Sequence, residues 1–514
     1  MQLNFKKTSL FLAGFIGLIT IITIILNFII SNKIKTTISE LPSHIEVTYE
    51  DVSTNIWFGS FYIQHPIIVV KGQNTNENLL ETEAKQFKLE GFSLWKYFWD
   101  KKIDIETIGI NNSVSKILYD SYLKENDYGS ESSKYLKNNF LINHIYLNDA
   151  NVLVKNVEND SIIFSVSSLN STAKEFEIDD SNVNYQNFVL QGSEMFFAVN
   201  EFENLNVSEF NISNNKIILH NVGLNTKYSK TQLSSILNKE RDHIKANFNE
   251  ILLSELDLKF NKGFGLSAKT SEINTPKVEV FRNKLLPDDF KTKPLHSKLL
   301  RDLNFNLNID DLKISDGQIT YFEKVNNDNK TPGTIRFDNL NAQINNLGNV
   351  NTLKPLSIEV DALFMQESVC HVDWHFKVAD TTDAFVFKAD IKNLNASKIN
   401  QFIEPNLKVK LKGELQQTYF SVYGNNNISN TDLKIKYNNF EVSVLKENGK
   451  EKRKLLSGLV NLFVLKNTND NSDNFRYGKA ENIIREKNKS VFNYIWLNTK
   501  QGLLSAMTGR EKGD

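Results

Sequence analysis

The chain has 514 residues, and its 60 Lys and Arg nearly cancel its 61 Asp and Glu, for a formal net charge of −1. That length allows several domains or one elongated body, and that balance gives no basic field to hold nucleic acid. The single cysteine, Cys370, excludes an intrachain disulfide, and 8 prolines spread along the chain exclude a long proline-rich stalk.

Residues 10–30 form one uncharged apolar run, with Leu10, Phe15, Ile19, Ile22, Ile25 and Ile30 as the expected membrane-anchor residues. A run of about 21 residues, at ~1.5 Å rise each, crosses the ~30 Å hydrocarbon layer once as a helix. Its apolar core is longer than that of a signal peptide, and Ser31-Asn32-Lys33-Ile34-Lys35 makes a poor cleavage site, so a retained anchor is expected. Basic residues flank both ends: Lys6 and Lys7 before, Lys33 and Lys35 after. The N-terminal tail is too short to be a domain, which puts the bulk of the chain across the membrane from the cytoplasm. No second apolar run of this length follows, so a single span is expected.

From residue 45 to about 445, apolar residues recur at every second position. Val372, Trp374, Phe376 and Val378 alternate with His371, Asp373, His375 and Lys377; Phe385, Phe387, Ala389 and Ile391 repeat the pattern. Successive side chains on a strand point to opposite faces, so each segment has one dry and one wet face, as in antiparallel sheets. Turn-forming pairs such as Asp316-Gly317 and Asn448-Gly449 separate segments. Two stretches have helical spacing. Leu233, Ile236, Leu237, Ile244, Phe248 and Ile251 predict an amphipathic helix over about 229–253, capped by Ser229 or Thr231 and closing one end of a sheet. Ile484, Val491, Ile495 and Trp496, with Arg485, Lys487, Lys489 and Lys500 around them, predict a basic amphipathic helix over about 479–507. Such a helix suits either a membrane interface or the end of a sheet. The resulting division is 1–35 tail and anchor, 36–280 first β-region, 281–450 second β-region, and 451–514 C-terminal segment.

An internal repeat underlies the strands. Ile142, Ile145, Leu147, Ala150, Val152 and Val154 are spaced like Ile309, Leu312, Ile314, Gly317, Ile319 and Tyr321; Ile105, Ile108, Ile110 and Ser113 begin a third copy. Each copy reads as strand, tight polar turn, strand, and the next piece recurs as Phe164 with Leu169 and Phe337 with Leu340. The spacing between copies is irregular, unlike a strict solenoid. The competing explanation is chance likeness between hairpins, which draw on few turn types.

At these residues the chain resembles AsmA-like proteins of the Gram-negative envelope, of the type found in Bacteroidota. The resemblance is sharpest in FRNKLLPDDFKTKPLHSKLLRDLNFNLNIDDLKISDGQITYFEK, residues 281–324, and FRYGKAENIIREKNKSVFNYIWLNTKQGLLSAMTG, residues 475–509. The anchor followed by IEVTYEDVSTNIWFGSFYIQHPIIVV, residues 45–70, fits the same layout. The resemblance implies a bacterial inner-membrane anchor and a periplasmic antiparallel sheet bent into a long groove. Related grooves are thought to conduct phospholipids between the two membranes, and this chain is far shorter than the largest of them. The expected fold is therefore mainly β: a transmembrane helix, an elongated, strongly bent antiparallel sheet and a few amphipathic helices. Candidate groove-lining residues are Ile309, Leu312, Ile314, Ile319, Tyr321, Val372, Trp374, Phe376, Phe385 and Phe387.

Catalytic signatures are wanting. There is no GxxxxGK[ST] loop, no GxGxxG after a strand and no GxSxG elbow. His371, Asp373 and His375 would share a strand face and suit zinc by ligand type, but they read as the wet side of the strand carrying Val372, Trp374 and Phe376. No catalytic residue, metal or cofactor is assigned. The expected function is to bind lipid acyl chains and assist phospholipid transfer or outer-membrane biogenesis, with the membrane, phospholipid and envelope proteins as partners. The alternatives are a non-transporting scaffold of closed β-sandwiches that docks envelope proteins, and a membrane-tethered hydrolase.

Overall fold

A computed structural model describes residues 41–55, 58–72, 77–100, 102–120, 140–179, 182–259, 264–326, 331–350, 353–445 and 475–508. The expected anchor (Leu10, Phe15, Ile19, Ile22, Ile25, Ile30) and the Asn448-Gly449 pair lie outside these residues. Among the described residues no helix is long and apolar enough to cross a membrane. The fold is mainly β. The chain divides into two compact units, Met1–Val222 and Gly223–Asp514; the boundary expected at 280/281 falls within a strand of the second.

Unit 1 begins as a meander. β1 (Ile45–Thr48) and β2 (Asp51–Asn55) run against β4 (Ile67–Lys71) and β3 (Ser60–Gln64), which run against β5 (Asn78–Glu90). Helix α1 (Leu94–Asp100) connects β5 to the antiparallel β6 (Ile103–Tyr119). β7 (Phe140–Asn156) lies parallel to β6; β8 (Ile162–Asp179), β9 (Asn182–Ala198) and β10 (Glu203–Ser213) follow, each antiparallel to the one before. β11 (Lys216–Thr226) carries the division between the units.

Unit 2 contains α2 (Lys230–Ile236), β12 (Asp242–Lys259), β13 (Gly265–Asn274) and β14 (Lys277–Asn283). β13 and β14 are two halves of one line broken at Thr275-Pro276; both run against β12 and both lie parallel to β15 (Asn306–Lys324). Helix α3 (His296–Arg301) precedes β15. β16 (Gly333–Gly348), β17 (Leu356–Phe364), β18 (Ser368–Phe376) and β19 (Phe385–Asn395) then add antiparallel in order. After α4 (Ala396–Leu407) come β20 (Val409–Gly424), β21 (Ile428–Val444) and β22 (Arg476–Ile484), and α5 (Val491–Thr508) ends the unit. β1 to β10 are joined edge to edge, and so are β12 to β22, so neither unit is built as two separate facing sheets. The sheets are mixed rather than purely antiparallel. Alternation reports one wet face, not strand direction, and it missed the parallel neighbours of β7 and β15.

Three local expectations are corrected. The helix over 229–253 is only α2, with the expected Ser229 cap in a reciprocal capping box with Gln232; from Asp242 the chain is strand. Ile244 and Phe248 are four apart, a spacing that fits both helical and strand periods, and pairing with β13 and β14 settles it. The C-terminal helix begins at Val491, not near 479, because residues 476–484 pair with β21. Ser490 accepts from the Asn493 and Tyr494 backbone N–H groups at the new start.

The third correction concerns the repeat. Its polar centre is not a turn but a bulge inside one long strand. Asp149 in β7, Asp316 in β15 and Asn112 in β6 have φ of 52°, 52° and 48°. The register runs on past each Asp, from Leu147 to Ala150 and from Ile314 to Gly317. Asp and Asn tolerate this left-handed conformation better than most residues. The two copies share their hydrogen bonds. The Asp149 N–H donates to Asn170 Oδ1 (3.0 Å), whose amide donates to the Ser168 carbonyl (2.8 Å). The Asp316 N–H donates to Asn341 Oδ1 (3.2 Å), whose amide donates to the Asn339 carbonyl (2.9 Å). Ser168 and Asn339 are themselves left-handed, with φ 47° and 49°. In unit 1 the bulges also line up laterally, as Asn112 donates to Asp149 at 2.8 Å. Bulges bend a strand and raise its twist. We expect Asp316→Val to cost about 1–2 kcal/mol, and Asp316→Gly to cost little, in urea unfolding of the full chain.

Candidate functional site

Directly paired residues on neighbouring strands put their side chains on the same face. Followed from strand to strand, the registers trace rows across each sheet. In unit 1 one row runs Ile45, Val70, Leu80, Ile117, Val154, Phe164, Phe197, Leu205, through β1, β4, β5, β6, β7, β8, β9 and β10. Every member is apolar, and at ~4.8 Å per strand step the row is about 34 Å long. Val70 and Val154 are buried, whereas Ile117, Phe164, Phe197 and Leu205 are only partly covered. On the same face of β6, Ser113 and Ser115 point inward, and the Ser115 and Thr82 hydroxyls bond to each other at 3.0 Å. Lys116, on the other face, is exposed.

Unit 2 has two adjacent rows, apolar except for Ser271 and Thr431 in the first. One runs Leu253, Ser271, Leu312, Ile344, Ile358, Trp374, Phe387, Val422, Thr431, Ala480, and the next runs Ile251, Ile273, Ile314, Ala342, Val360, Val372, Ala389, Phe420, Leu433, Gly478. Five of the ten candidate lining residues therefore sit on two neighbouring rows: Leu312, Trp374 and Phe387 on one, Ile314 and Val372 on the other. Phe376 and Phe385 pair with each other, and Ile309 pairs with Ala268 and Leu347. Beyond the bulge, Ile319 pairs with Val278 and Phe337 and is partly exposed. Tyr321 pairs with Val280 and Ile335, donates to Glu323 at 2.7 Å, and has its phenol pushed well up, first by burial.

From β17 to β22 the apolar face is covered by protein. Trp374, Phe376, Phe385 and Phe387 belong to a large core with Leu295, Tyr437, Tyr494, Val491 and Ile495. The Trp374 ring meets His296 at 4.9 Å and Phe492 at 6.3 Å between centroids. Burial holds the His296 imidazole below its usual value. The buried Asn498 locks α5 down: its oxygen accepts from Ser429 (2.9 Å) and Thr431 (2.6 Å), and its amide donates to the Tyr494 carbonyl (2.8 Å). Gly478 lets α5 approach closely, since an added Cβ would lie 2.1 Å from the Gly502 carbonyl.

The two blocks that carry the resemblance meet beside this core. The Lys293 N–H donates to the Lys487 carbonyl (2.7 Å), Arg485 donates to the Lys293 carbonyl, and Lys489 pairs with Asp288 (2.7 Å). Lys284 pairs with the buried Glu240 at 2.6 Å. Alongside, Asp383 accepts from Ser297 and from Arg301, both at 2.8 Å, while Arg301 also donates to the Val378 carbonyl at 2.6 Å. Asp383 is buried and its partner Arg301 is mostly so. We expect Asp383→Ala to destabilise unit 2 by about 2–3 kcal/mol, because it takes the acceptor from Arg301 Nη2 and from the buried Ser297 hydroxyl. A shift in thermal midpoint would measure it.

These polar groups are paired with one another. Among the described residues no three His, Cys, Asp or Glu are grouped to hold a metal. His371 bonds Asp361 across the strand pair at 2.8 Å. Cys370 is buried, and burial pushes its thiol up to about 12. A cavity of about 260 Å³, lined by Gln318, Thr320, Arg336 and Gln401 among others, lies on the face of β15 away from Ile319 and Tyr321. Its lining is mostly polar, with Phe322 and Met365 as the apolar members. The rows escaped the sequence reading because they depend on register, which alternation alone does not supply. The buried Asn498 and Asp383 gave no periodic signal at all. No family model matches the chain, and no curated protein matches it.

Proposed function

We propose that this is an AsmA-like protein, anchored by residues 10–30 in a bacterial inner membrane, whose periplasmic sheet binds lipid acyl chains along its apolar rows. In this role it assists phospholipid transfer or outer-membrane biogenesis. The observation that carries the reading is the eight-strand row of unit 1, uninterrupted by any polar residue and only partly covered from Phe164 to Leu205. A row perpendicular to the strands offers a continuous oily path, and each methylene laid on it gains ~0.8 kcal/mol relative to water. The bulged strands supply the bending that turns such a face into a groove. The chain needs no cofactor for this, and it is not proposed as an enzyme.

The second reading, a non-transporting envelope scaffold, is favoured by the filled core of unit 2 around Trp374. The two separate by bound lipid. Full-length protein exchanged into a lipid-free surfactant and extracted for mass spectrometry should retain phospholipid in excess of that held by a Phe164→Asp variant. Equal amounts in the two would favour the scaffold.

A further inference from the structure

One end of unit 1 carries large apolar side chains that nothing among the described residues covers. Phe58 is 73 % exposed, Trp95 68 % and Trp99 64 %. Trp95 and Trp99, one turn apart on α1, stack with ring centroids 3.8 Å apart. The Phe92 N–H donates to the Gly59 carbonyl at 3.0 Å, which ties the Phe58 turn to the segment leading into α1. Tyr97 packs inward against Phe92 and the unit 1 core, so α1 is held from one side and offers its tryptophans on the other. Lys102 beside them is exposed.

The position of this tip matters. Ile45 pairs with Val70 and Val70 with Leu80, so the chain joins the sheet beside Leu80. α1 follows Glu90, at the far end of the same strand, which at ~3.3 Å per residue is about 33 Å away. β5 is two strand positions in from β1 and β2, or about 10 Å. If those first strands lie along a bilayer, β1 and the aromatic tip are at similar depth and well separated laterally. From residue 30 to residue 41 the chain can reach about 36–40 Å at most, which bounds the distance of β1 from the membrane.

We propose that Phe58, Trp95 and Trp99 enter the headgroup–acyl boundary of the bilayer that residues 10–30 span, a second point of attachment that holds the first strands flat on the membrane. Tryptophan favours that boundary because its ring is apolar and its N–H polar, and Lys102 suits anionic headgroups. This inference rests on the anchor reading under Proposed function, and the test separates the two.

Cys370 is 4 % exposed with a thiol of raised pKa, so cysteines introduced singly into the full chain take a bimane label selectively. Phe58→Cys, Gly17→Cys in the apolar run, and Tyr477→Cys, which is 73 % exposed in unit 2, are each labelled. They are reconstituted in phosphatidylethanolamine–phosphatidylglycerol vesicles carrying a phosphatidylcholine spin-labelled near the top of its acyl chain. We expect the probe at position 58 to be quenched at least threefold more than that at 477. Adding Trp95→Ser and Trp99→Ser should reduce the difference by at least half. Quenching at 17 with none at 58 beyond the 477 level would overturn the second attachment and leave the anchor standing. No quenching at 17 would overturn the anchor reading and this inference with it. Shielding at 58 that depends on protein concentration and not on spin-labelled lipid would assign the tip to a second copy of the chain and overturn the membrane contact.

Discussion

Phe164→Asp is expected to remove more than nine-tenths of the phospholipid held by unit 1 while leaving the unit folded. Phe164 sits mid-row between Val154 and Phe197, and its side chain is only partly covered. A carboxylate there can reach water when the row is empty, so the fold tolerates it. A bound acyl chain would cut it off from water, and stranding a charge costs a few kcal/mol, more than a tenfold loss of affinity. Circular dichroism and limited proteolysis should match the unaltered protein. Lipid retention equal to that of the unaltered chain, in a folded variant, would remove the row from the binding path.

Trp374→Ala should have the largest effect on stability, about 3–5 kcal/mol, read as a fall in the melting transition of unit 2. The indole is 6 % exposed and surrounded by His296, Phe376, Phe385, Phe387 and Phe492. Among the described residues its N–H has no hydrogen-bond partner, so truncation orphans no acceptor there and the loss is packing. Trp374→Phe, which keeps one of the two rings, should cost less, about 1–2 kcal/mol. If Trp374→Ala left the melting transition unmoved, the core under α5 would not be closed around this ring.

Much of the architecture is legible in the sequence. Alternation located the strands because sheets with one wet face must write a period of two into the chain, as at Val372–Phe376. The repeat was legible too: residues 142–154 and 309–321 occupy matching bulged strands with matching Asp–Asn hydrogen bonds. Its meaning was not, because an Asp before Ala or Gly signals a left-handed residue without saying whether the strand turns back or continues. Strand direction was hidden for a similar reason, since parallel β6 and β7 each show the same one-sided pattern as an antiparallel pair. Of the candidate lining residues, five fall on two shared rows, yet Trp374 lies against α3 and α5, and Phe387 packs in the same core. The alternation of their own strands carries no record of a helix placed more than a hundred residues later. The row of unit 1 contributed none of the candidates, because its members come one from each strand and only the registers join them.

The most direct measurement is a photocrosslinking walk along that row in the full chain, in membranes of growing cells. Benzoylphenylalanine placed singly at Ile117, Phe164, Phe197 and Leu205 should capture phospholipid at all four positions, while Lys116 and Asn206 on the opposite face should capture none. Capture at the first position alone, or equal capture on both faces, would contradict a continuous acyl-chain path across unit 1.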